Sequence, residues 1–443
     1  MEEKKKNVII EAIRGNLVPI IFAVLCFLSY KISGQTLSFV LTEAVARVGR
    51  NAILILSLIL PVICGMGLNF SIVLGAMAGE VGLIVITTSN IDGFPGILVA
   101  LLIGTVVAIV LGFLTGKLFN KVKGQEMITG MILGFFAVGV YDLIFMFFVG
   151  TIIPMNDPEI MLEGTNAAGE TVYVGLRNTI ELHSATKYAI DNLWKMMFVK
   201  LLPYLIIGFL AAAILLMLFR VKKQGLTVKA ALRKSLVFYI LSAAFLVLYI
   251  LIKTVKSVYA AFFILQIPIG TAIFIILVCL LVVFLMKTKL GRDIRTCGQD
   301  MNVAMASGID VDKTRILATM ISTVIAAWGQ VVFLQNIGNI QTYNSHEQVG
   351  TYAVAAILVG GASTDKATIG QVFTGAVLFH ILFFMTPLAA TKIFNDSQMG
   401  EFFRVFLCYG IIAISLMLYA LKKHREFLRR LEEERLKAKE RAA

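Results

Sequence analysis

Polar side chains inside apolar segments are the residues of this chain with the clearest potential for chemistry. A polar group in a segment long enough to cross a membrane is costly, and it is usually either paired or functional. Gly67, Asn69 and Ser71 lie in one such segment, and Glu126 and Thr129 begin another. These groups could form transient hydrogen bonds with a neutral solute along a translocation path, or they could form hydrogen bonds with a neighbouring helix. Further candidates of the same kind are Glu80, Gln125, Asp142, Gln330 and Gln335.

The segment 287–315 is a candidate for a different kind of chemistry, the docking of a partner. It is a long polar stretch between two apolar ones, with Gly291, Gly298 and Gly308 at its predicted turns. The pattern predicts a pair of short helices at a membrane surface. A structured polar loop of this kind, in a chain that is otherwise mostly apolar, indicates a binding surface.

The sequence contains no motif of an enzyme. It has no G-x-x-x-x-G-K-[ST], no H-E-x-x-H and no G-x-S-x-G. Its 5 cysteines include no C-x-x-C pair, and its 4 histidines are far apart in sequence. We therefore expect no catalytic residues, no metal site and no cofactor.

Hydropathy indicates a membrane protein. The chain has 443 residues, of which 58% are hydrophobic, and its mean hydropathy is +0.88. The apolar residues form blocks close to the roughly 20 residues that a membrane-spanning helix needs. The pattern predicts an all-α, polytopic membrane fold with about 10–12 transmembrane helices, some of them broken or re-entrant. The predicted spans are 17–33, 52–68, 71–88, 97–118, 127–149, 198–219, 235–252, 260–286, 316–333, 349–363, 370–388 and 402–421.

The distribution of charge predicts the orientation. The net charge is +13, but most of the 40 lysines and arginines fall in alternate loops, which favours a membrane protein over a nucleic-acid-binding one. Cytoplasmic loops carry an excess of Lys and Arg, so the N-terminus, the C-terminus and 287–315 are predicted to be cytoplasmic. Residues 150–197 are then external. This insertion, with a predicted strand at 171–176, could be a plain loop or a docking surface.

The predicted domain organisation is simple. Residues 1–421 are predicted to form a single transmembrane domain, which includes the external insertion and the cytoplasmic loop. Residues 422–443 form a charged, helical, cytoplasmic tail. This tail could be a solvated extension, or it could contact a partner or anionic lipid.

Several stretches resemble the permease subunits of ATP-binding-cassette importers of the branched-chain amino acid and ribose type. Residues 67–71, G-L-N-F-S, look like the family's G-I-D-L-S, and 126–133 is similar to the E-V-I-x-T-x-M-L run of its nucleoside branch. Residues 352–363 resemble its late A-I-A-A-V-V-x-G-G-x-S signature. The loop 287–315 resembles its coupling loop, although Asp300-Met301 stands where the family often has Asn-Pro. The matching loop residues are Gly291, Arg292, Arg295, Gly298, Ala304, Gly308 and Ile309.

The resemblance implies a function and a set of partners. A separate ATPase subunit would bind 287–315, a solute-binding protein would deliver cargo outside, and a second permease subunit, identical or homologous, would complete the path. The setting would be membrane lipid, in the bacterial cytoplasmic membrane. The cargo would be a small neutral solute, a monosaccharide or a nucleoside, and the path would include Gly67, Asn69, Ser71, Glu126 and Thr129. Branched-chain amino acids remain an alternative, as does an ion-coupled secondary transporter that uses Glu80 or Asp142.

Overall fold

Helices dominate the computed structural model, which describes residues 17–165, 169–225, 227–414, 417 and 421. The segment 1–16, Asn166 and the tail 422–443 lie outside the described residues. The first elements in chain order are α1 (Leu17–Ser33), α2 (Leu37–Leu56), α3 (Ile59–Ile63), α4 (Ile72–Thr88), α5 (Gly93–Lys121), α6 (Glu126–Leu143), a π-helical turn (Ile144–Phe148), β1 (Met161–Thr165), β2 (Thr171–Leu176), β3 (Thr179–Glu181), α7 (Ala189–Leu193) and β4 (Lys195–Met197). The later ones are α8 (Phe198–Gln224), α9 (Val228–Thr254), α10 (Lys256–Phe262), β5 (Gln266–Pro268), α11 (Ile269–Lys287), α12 (Lys289–Gln299), α13 (Met301–Ala306), α14 (Val311–Ile337), β6 (Asn339–Gln341), α15 (Val349–Val359), α16 (Ile369–Phe394) and α17 (Ser397–Ile414).

The helices have the lengths that a membrane protein requires. Among the described residues, 9 helical segments are long and apolar enough to cross a membrane. Three shorter apolar helices, α1, α4 and α15, accompany them. The strands are few and short. These features confirm the predicted all-α, polytopic membrane fold.

Two of the predicted spans have different boundaries in the structure. The span predicted from residue 52 belongs to a helix that begins at Leu37. The prediction started too late because Glu43, Arg47 and Arg50 lower the hydropathy of the first half of this helix. The Arg47 guanidinium lies 5.2 Å from the centre of the Phe384 ring, which accommodates the charge. The span predicted from residue 260 is interrupted by β5, and its long helix, α11, begins only at Ile269.

The chain forms two compact units. The smaller consists of Gln35–Ala46 and Asp191–Ile273, and the larger contains the other described residues. In the smaller unit, α8 and α9 pack as a helical hairpin in which Ser242 Oγ donates to the Ile206 carbonyl at 3.0 Å. In the same unit, β4 pairs with β5 in an antiparallel arrangement.

The larger unit is built around α14, which packs against α4 and α5. Gly75 and Gly79 on α4 allow the closest approach. A Cβ at either position would lie 2.5 Å from a backbone carbonyl oxygen of α14, that of Thr323 or Ala327. The backbones of α4 and α14 are therefore in direct contact, as small residues permit in membrane helices.

Two strand pairs show how the loops are distributed along α14. In the 150–197 insertion, β1 pairs with β2, so the predicted strand at 171–176 is present. The next strand, β3, pairs with β6, which directly follows the C-terminal end of α14. The pair α12–α13 precedes the N-terminal end of α14, and a helix of this length spans roughly 40 Å. The β3–β6 pair and the 287–315 segment therefore lie at opposite ends of α14.

Candidate functional site

The segment 287–315 contains the predicted pair of short helices, α12 and α13. Of the three glycines predicted at its turns, Gly308 lies in one, whereas Gly291 and Gly298 lie inside α12, which ends only at Gln299. The cap of α13 is Asp300, whose carboxylate accepts the N–H groups of Asn302 and Val303 at 2.7 and 3.2 Å. The cap of α12 is Thr288, whose hydroxyl accepts the Gly291 N–H at 3.4 Å. Because these caps satisfy N–H groups that lack an intrahelical partner, local sequence fixes where each helix begins.

The two faces of α12 have opposite character. Gly291, Ile294 and Cys297 recur every three residues, so they share one face, and that face is buried. Arg292 and Arg295 lie on the exposed face. Burial raises the pKa of the Cys297 thiol, which keeps it neutral against the core. The arginines predicted to couple to an ATPase are thus presented outward.

The C-terminal end of α12 touches the break between α3 and α4. A Cβ at Gly298 would lie 1.9 Å from the carbonyl oxygen of Ile63, the last residue of α3. A Cβ at Gly65, where φ is +77°, would lie 3.0 Å from the Cα of Gly298. Only glycine fits at position 298 without displacing α12, and this contact joins the predicted docking segment to the predicted path segment.

The end of α13 is closed by a reverse turn of the Schellman type. The Ile309 N–H donates to the Ala304 carbonyl and the Gly308 N–H to the Met305 carbonyl, each at 3.0 Å. Gly308 has φ +78°, a conformation that side chains disfavour. Ala304 is fully buried, whereas Val303 and Met305 are 56% and 54% exposed. The helix therefore offers apolar surface outward from a fixed base.

The predicted path residues Asn69 and Ser71 lie together in the turn that begins α4. Both are almost fully buried, and the Asn69 side-chain oxygen accepts the N–H of Ser71 at 3.0 Å and its hydroxyl at 2.5 Å. Asparagine stabilises turns in this way. Its side-chain Nδ2 has no hydrogen-bond partner. Gly67 has φ +72°, and a Cβ there would lie 3.0 Å from the Met127 side chain, which brings this turn against the start of α6.

Glu126, the one acidic residue among the predicted path residues, is occupied by an ion pair. It is 5% exposed, its carboxylate bonds the guanidinium of the fully buried Arg315, and it accepts the Gly124 N–H at 2.9 Å. Arg315 also donates through Nε to Asn120 Oδ1 at 2.9 Å. Thr129 is half-buried, one turn further along α6.

Arg315 connects this ion pair to the docking segment. It lies on the first turn of α14, and its NH1 group is 3.8 Å from the Met301 sulfur of α13. Its NH2 group donates to the Phe119 carbonyl of α5 at 3.2 Å. One buried guanidinium thus contacts α5, α6 and α13. The predicted docking and path residues therefore form one contiguous patch near the N-terminal end of α14.

Comparison with known families identifies the kind of protein that carries this patch. The family model described as the permease component of branched-chain amino acid transport systems matches residues 40–415. The chain belongs to this family. The match covers most of the permease, including the docking segment and the broken helix, so the family predicted from the motifs is confirmed. No solved structure matches the permease.

The permease is also similar to named transport proteins. It is 32% identical over 151 residues to the nucleoside ABC transporter permease protein NupB of Lactococcus lactis subsp. cremoris, which is 33% of this chain and 38% of that one. It is 28% identical over 169 residues to the autoinducer 2 import system permease protein LsrC of an Enterobacter species, which is 37% of this chain and 46% of that one. A Klebsiella pneumoniae LsrC is 28% identical over 152 residues, with 33% and 42% covered. The aligned region thus spans less than half of each relative.

Sequence reasoning missed the partners of the permease's buried acids. Arg315 was not selected, and neither was His346, whose Nδ1 lies 2.6 Å from Glu80 Oε2 in a site where both side chains are fully buried. Gln330 Nε2 lies 3.4 Å from the other Glu80 oxygen. An acid within an apolar helix signals that a partner exists, but the sequence does not show which distant residue it is.

Proposed function

We propose that this chain is the membrane-spanning subunit of an ATP-driven importer for a small neutral solute, a monosaccharide or a nucleoside. Membership of the permease family supports the class of transporter. The name of the Lactococcus relative, a nucleoside ABC transporter permease, supports a neutral cargo. The chain acts by conformational coupling, whereas ATP hydrolysis takes place on a separate subunit.

One observation carries the proposal, the backbone contact between Gly298 of the docking segment and the helix break at Gly65. A partner that moves α12 and α13 pushes directly on the segment that begins α4. A transporter subunit needs this property, because it must convert the closure of an ATPase into a helix rearrangement. The exposed residues Arg292, Arg295, Val303 and Met305 supply the surface for that partner.

The remaining partners follow from the same proposal. A solute-binding protein delivers cargo on the side of the 150–197 insertion, and a second permease subunit, identical or homologous, completes the path. Both termini and α12–α13 face the cytoplasm of a bacterium. Because most of the lysines and arginines then lie inside, this orientation agrees with the charge rule.

Reconstitution tests the proposal. The permease is placed in proteoliposomes with an ATPase subunit and a solute-binding protein that co-purify with it, and uptake of labelled uridine and ribose is measured. We expect uptake that requires ATP on the side of α12–α13. Gly308→Val should leave membrane insertion intact but abolish the stimulation of ATP hydrolysis by loaded binding protein, because a branched side chain disfavours φ +78°.

The same vesicles distinguish the rival class, an ion-coupled secondary transporter built on Glu80 or Asp142. Uptake of uridine or ribose that is driven by a proton or sodium gradient without ATP would contradict our proposal. Full stimulation of the ATPase by the Gly308→Val variant would contradict the assignment of α13 as the coupling helix. Uptake of leucine in place of both probes would move the cargo to branched-chain amino acids.

A further inference from the structure

A cavity of about 450 Å³ with a mixed polar and apolar lining lies in the larger unit beside the C-terminal end of α14. Its volume is in the range of pockets that enclose small molecules. Residues of α2, α14, β6, α15 and α16 line it, together with the turn 342–348. Five of its lining side chains are carboxamides: Asn51, Asn339, Gln341, Asn344 and Gln348.

The chemistry of this lining selects for uncharged, hydroxyl-rich solutes. A carboxamide both donates and accepts hydrogen bonds, so it matches a hydroxyl group, which does the same. Of the described residues that line the cavity, Glu347 alone carries a formal charge, and none is lysine or arginine. Within the lining, a phosphate or a free carboxylate would find no cationic side chain and would be repelled by Glu347, whereas Arg47 and Arg50 act on His380 from outside the lining.

One buried group in the lining lacks a hydrogen-bond partner. His380 is 5% exposed, and its Nδ1 makes no hydrogen bond. A buried polar atom left unpaired lowers stability, so a solute hydroxyl placed there would gain a favourable bond. Beside it, the ring of Tyr352 packs edge-on against Phe383, with 4.9 Å between centroids. This fixed aromatic side chain supplies apolar surface for the C–H face of a sugar or for a base.

The turn that supplies Asn344 and Gln348 is held by hydrogen bonds on the side that faces away from the cavity. His346 points away from the cavity lining to Glu80, with 2.6 Å between Nδ1 and Oε2. Ser345 belongs to the same turn. Its carbonyl accepts a hydrogen bond from Gln330 Nε2 at 3.2 Å, and its side-chain hydroxyl accepts the Gln341 N–H at 2.9 Å. A site whose lining is already ordered loses less entropy when it binds.

From these features we propose that the carboxamide-lined cavity binds an uncharged, polyhydroxylated solute, of the size of a monosaccharide or nucleoside, as it enters the permease. The cavity lies at the β6 end of α14, opposite the docking segment. An entry site belongs at that end if the docking segment receives the ATPase, so this inference rests on the proposed function. It adds to that function the place of the cargo site and the side chains that would bind the cargo.

Direct binding tests the inference. The full-length permease is purified into lipid nanodiscs, and binding of radiolabelled uridine and ribose is measured without ATP and without solute-binding protein. We expect at least one of the two to bind, and we expect uridine 5′-monophosphate not to bind. Two carboxamides on the exposed rim can be removed together as Asn344→Ala/Gln348→Ala. The loss of two hydrogen bonds should weaken binding by about tenfold or more.

Asn178→Ala is the matched control. Asn178 is an exposed carboxamide outside the cavity, and its backbone carbonyl accepts the Thr342 N–H at 2.9 Å whatever its side chain. The control should bind as tightly as the parent, and all variants should melt at the same temperature. The inference is overturned if neither probe binds, or if the double variant binds like the control. If the binding experiment fails but ATP-driven uptake is still observed, the proposed function stands and only the cavity inference is wrong. If the cavity binds solute but ATP-driven uptake is absent, only the proposed function is contradicted.

Discussion

At the scale of one residue, Arg315 shows how a charged side chain is accommodated in the interior of this protein. Its side chain is fully buried and bonds Glu126, which is itself 5% exposed. Removing one member of such a pair leaves a charge in the interior without compensation. The pair also contacts α13 through Met301, so it fixes the base of the docking segment as well as the core.

Arg315→Met should therefore destabilise the permease by about 3–5 kcal/mol. The double variant Arg315→Met/Glu126→Gln should recover part of this loss, because no unpaired charge remains. Lys123→Met is the control, since Lys123 and Asp312 form an exposed ion pair nearby at 2.6 Å, and removing it should cost less than about 1 kcal/mol. Thermal unfolding in one detergent measures all three. Equal losses for Arg315→Met and Lys123→Met would contradict this account.

At the scale of elements, we expect the contact between α12 and the end of α3 to transmit motion of the docking segment. The space between them is smaller than a methyl group, because a Cβ at Gly298 would lie 1.9 Å from the Ile63 carbonyl. Packed elements of this kind move together or separate, since interiors are dense and resist gradual deformation.

Gly298→Ala should displace α12 and reduce the coupling of ATP hydrolysis to solute by about tenfold or more, while the protein still inserts and folds. Gly139→Ala is the control, because nothing lies within 4 Å of a Cβ at Gly139 in α6. The measurement is the ATPase rate of the assembled importer with and without loaded binding protein. If both variants were stimulated equally, the contact would have no role in coupling.

The elements also show which parts of the fold were accessible from sequence. Long apolar stretches identified most helices, and the polar stretch with a glycine at 308 correctly indicated a helix pair. Helical spacing also indicated a helix over 36–50, but its continuity with the span from residue 52 was missed because Glu43, Arg47 and Arg50 lower the hydropathy there. The interruption at β5 was missed because hydropathy does not register hydrogen-bonded strands. The pairing of β3 with β6, and of Glu80 with His346, joins distant parts of the chain that no local pattern relates.

At the scale of the whole molecule, the orientation in the membrane is the open prediction. Glu163 in β1 and Asn302 in α13 are both exposed, and both lie outside the long apolar helices. In a cysteine-free background, Glu163→Cys should react with a membrane-impermeant maleimide in intact cells, and Asn302→Cys should react only after lysis. The charge distribution is the physical reason. The reverse labelling pattern would invert the orientation, and labelling of both sites in intact cells would refute the opposite-side arrangement.

Helix α4 lies between the docking segment and the carboxamide-lined cavity. Its first turn follows the glycine break that touches α12, and Glu80, about nine residues or roughly 13 Å further along, bonds the turn beneath the carboxamide cavity. Because a helix is stiff along its axis, a displacement at one end of α4 can reach the other end without a series of side-chain rearrangements along the way. If the proposed coupling holds, a movement of the docking segment would alter the width of the cavity at the other side, and occupation of the cavity would resist that movement to the same degree, since such coupling is reciprocal.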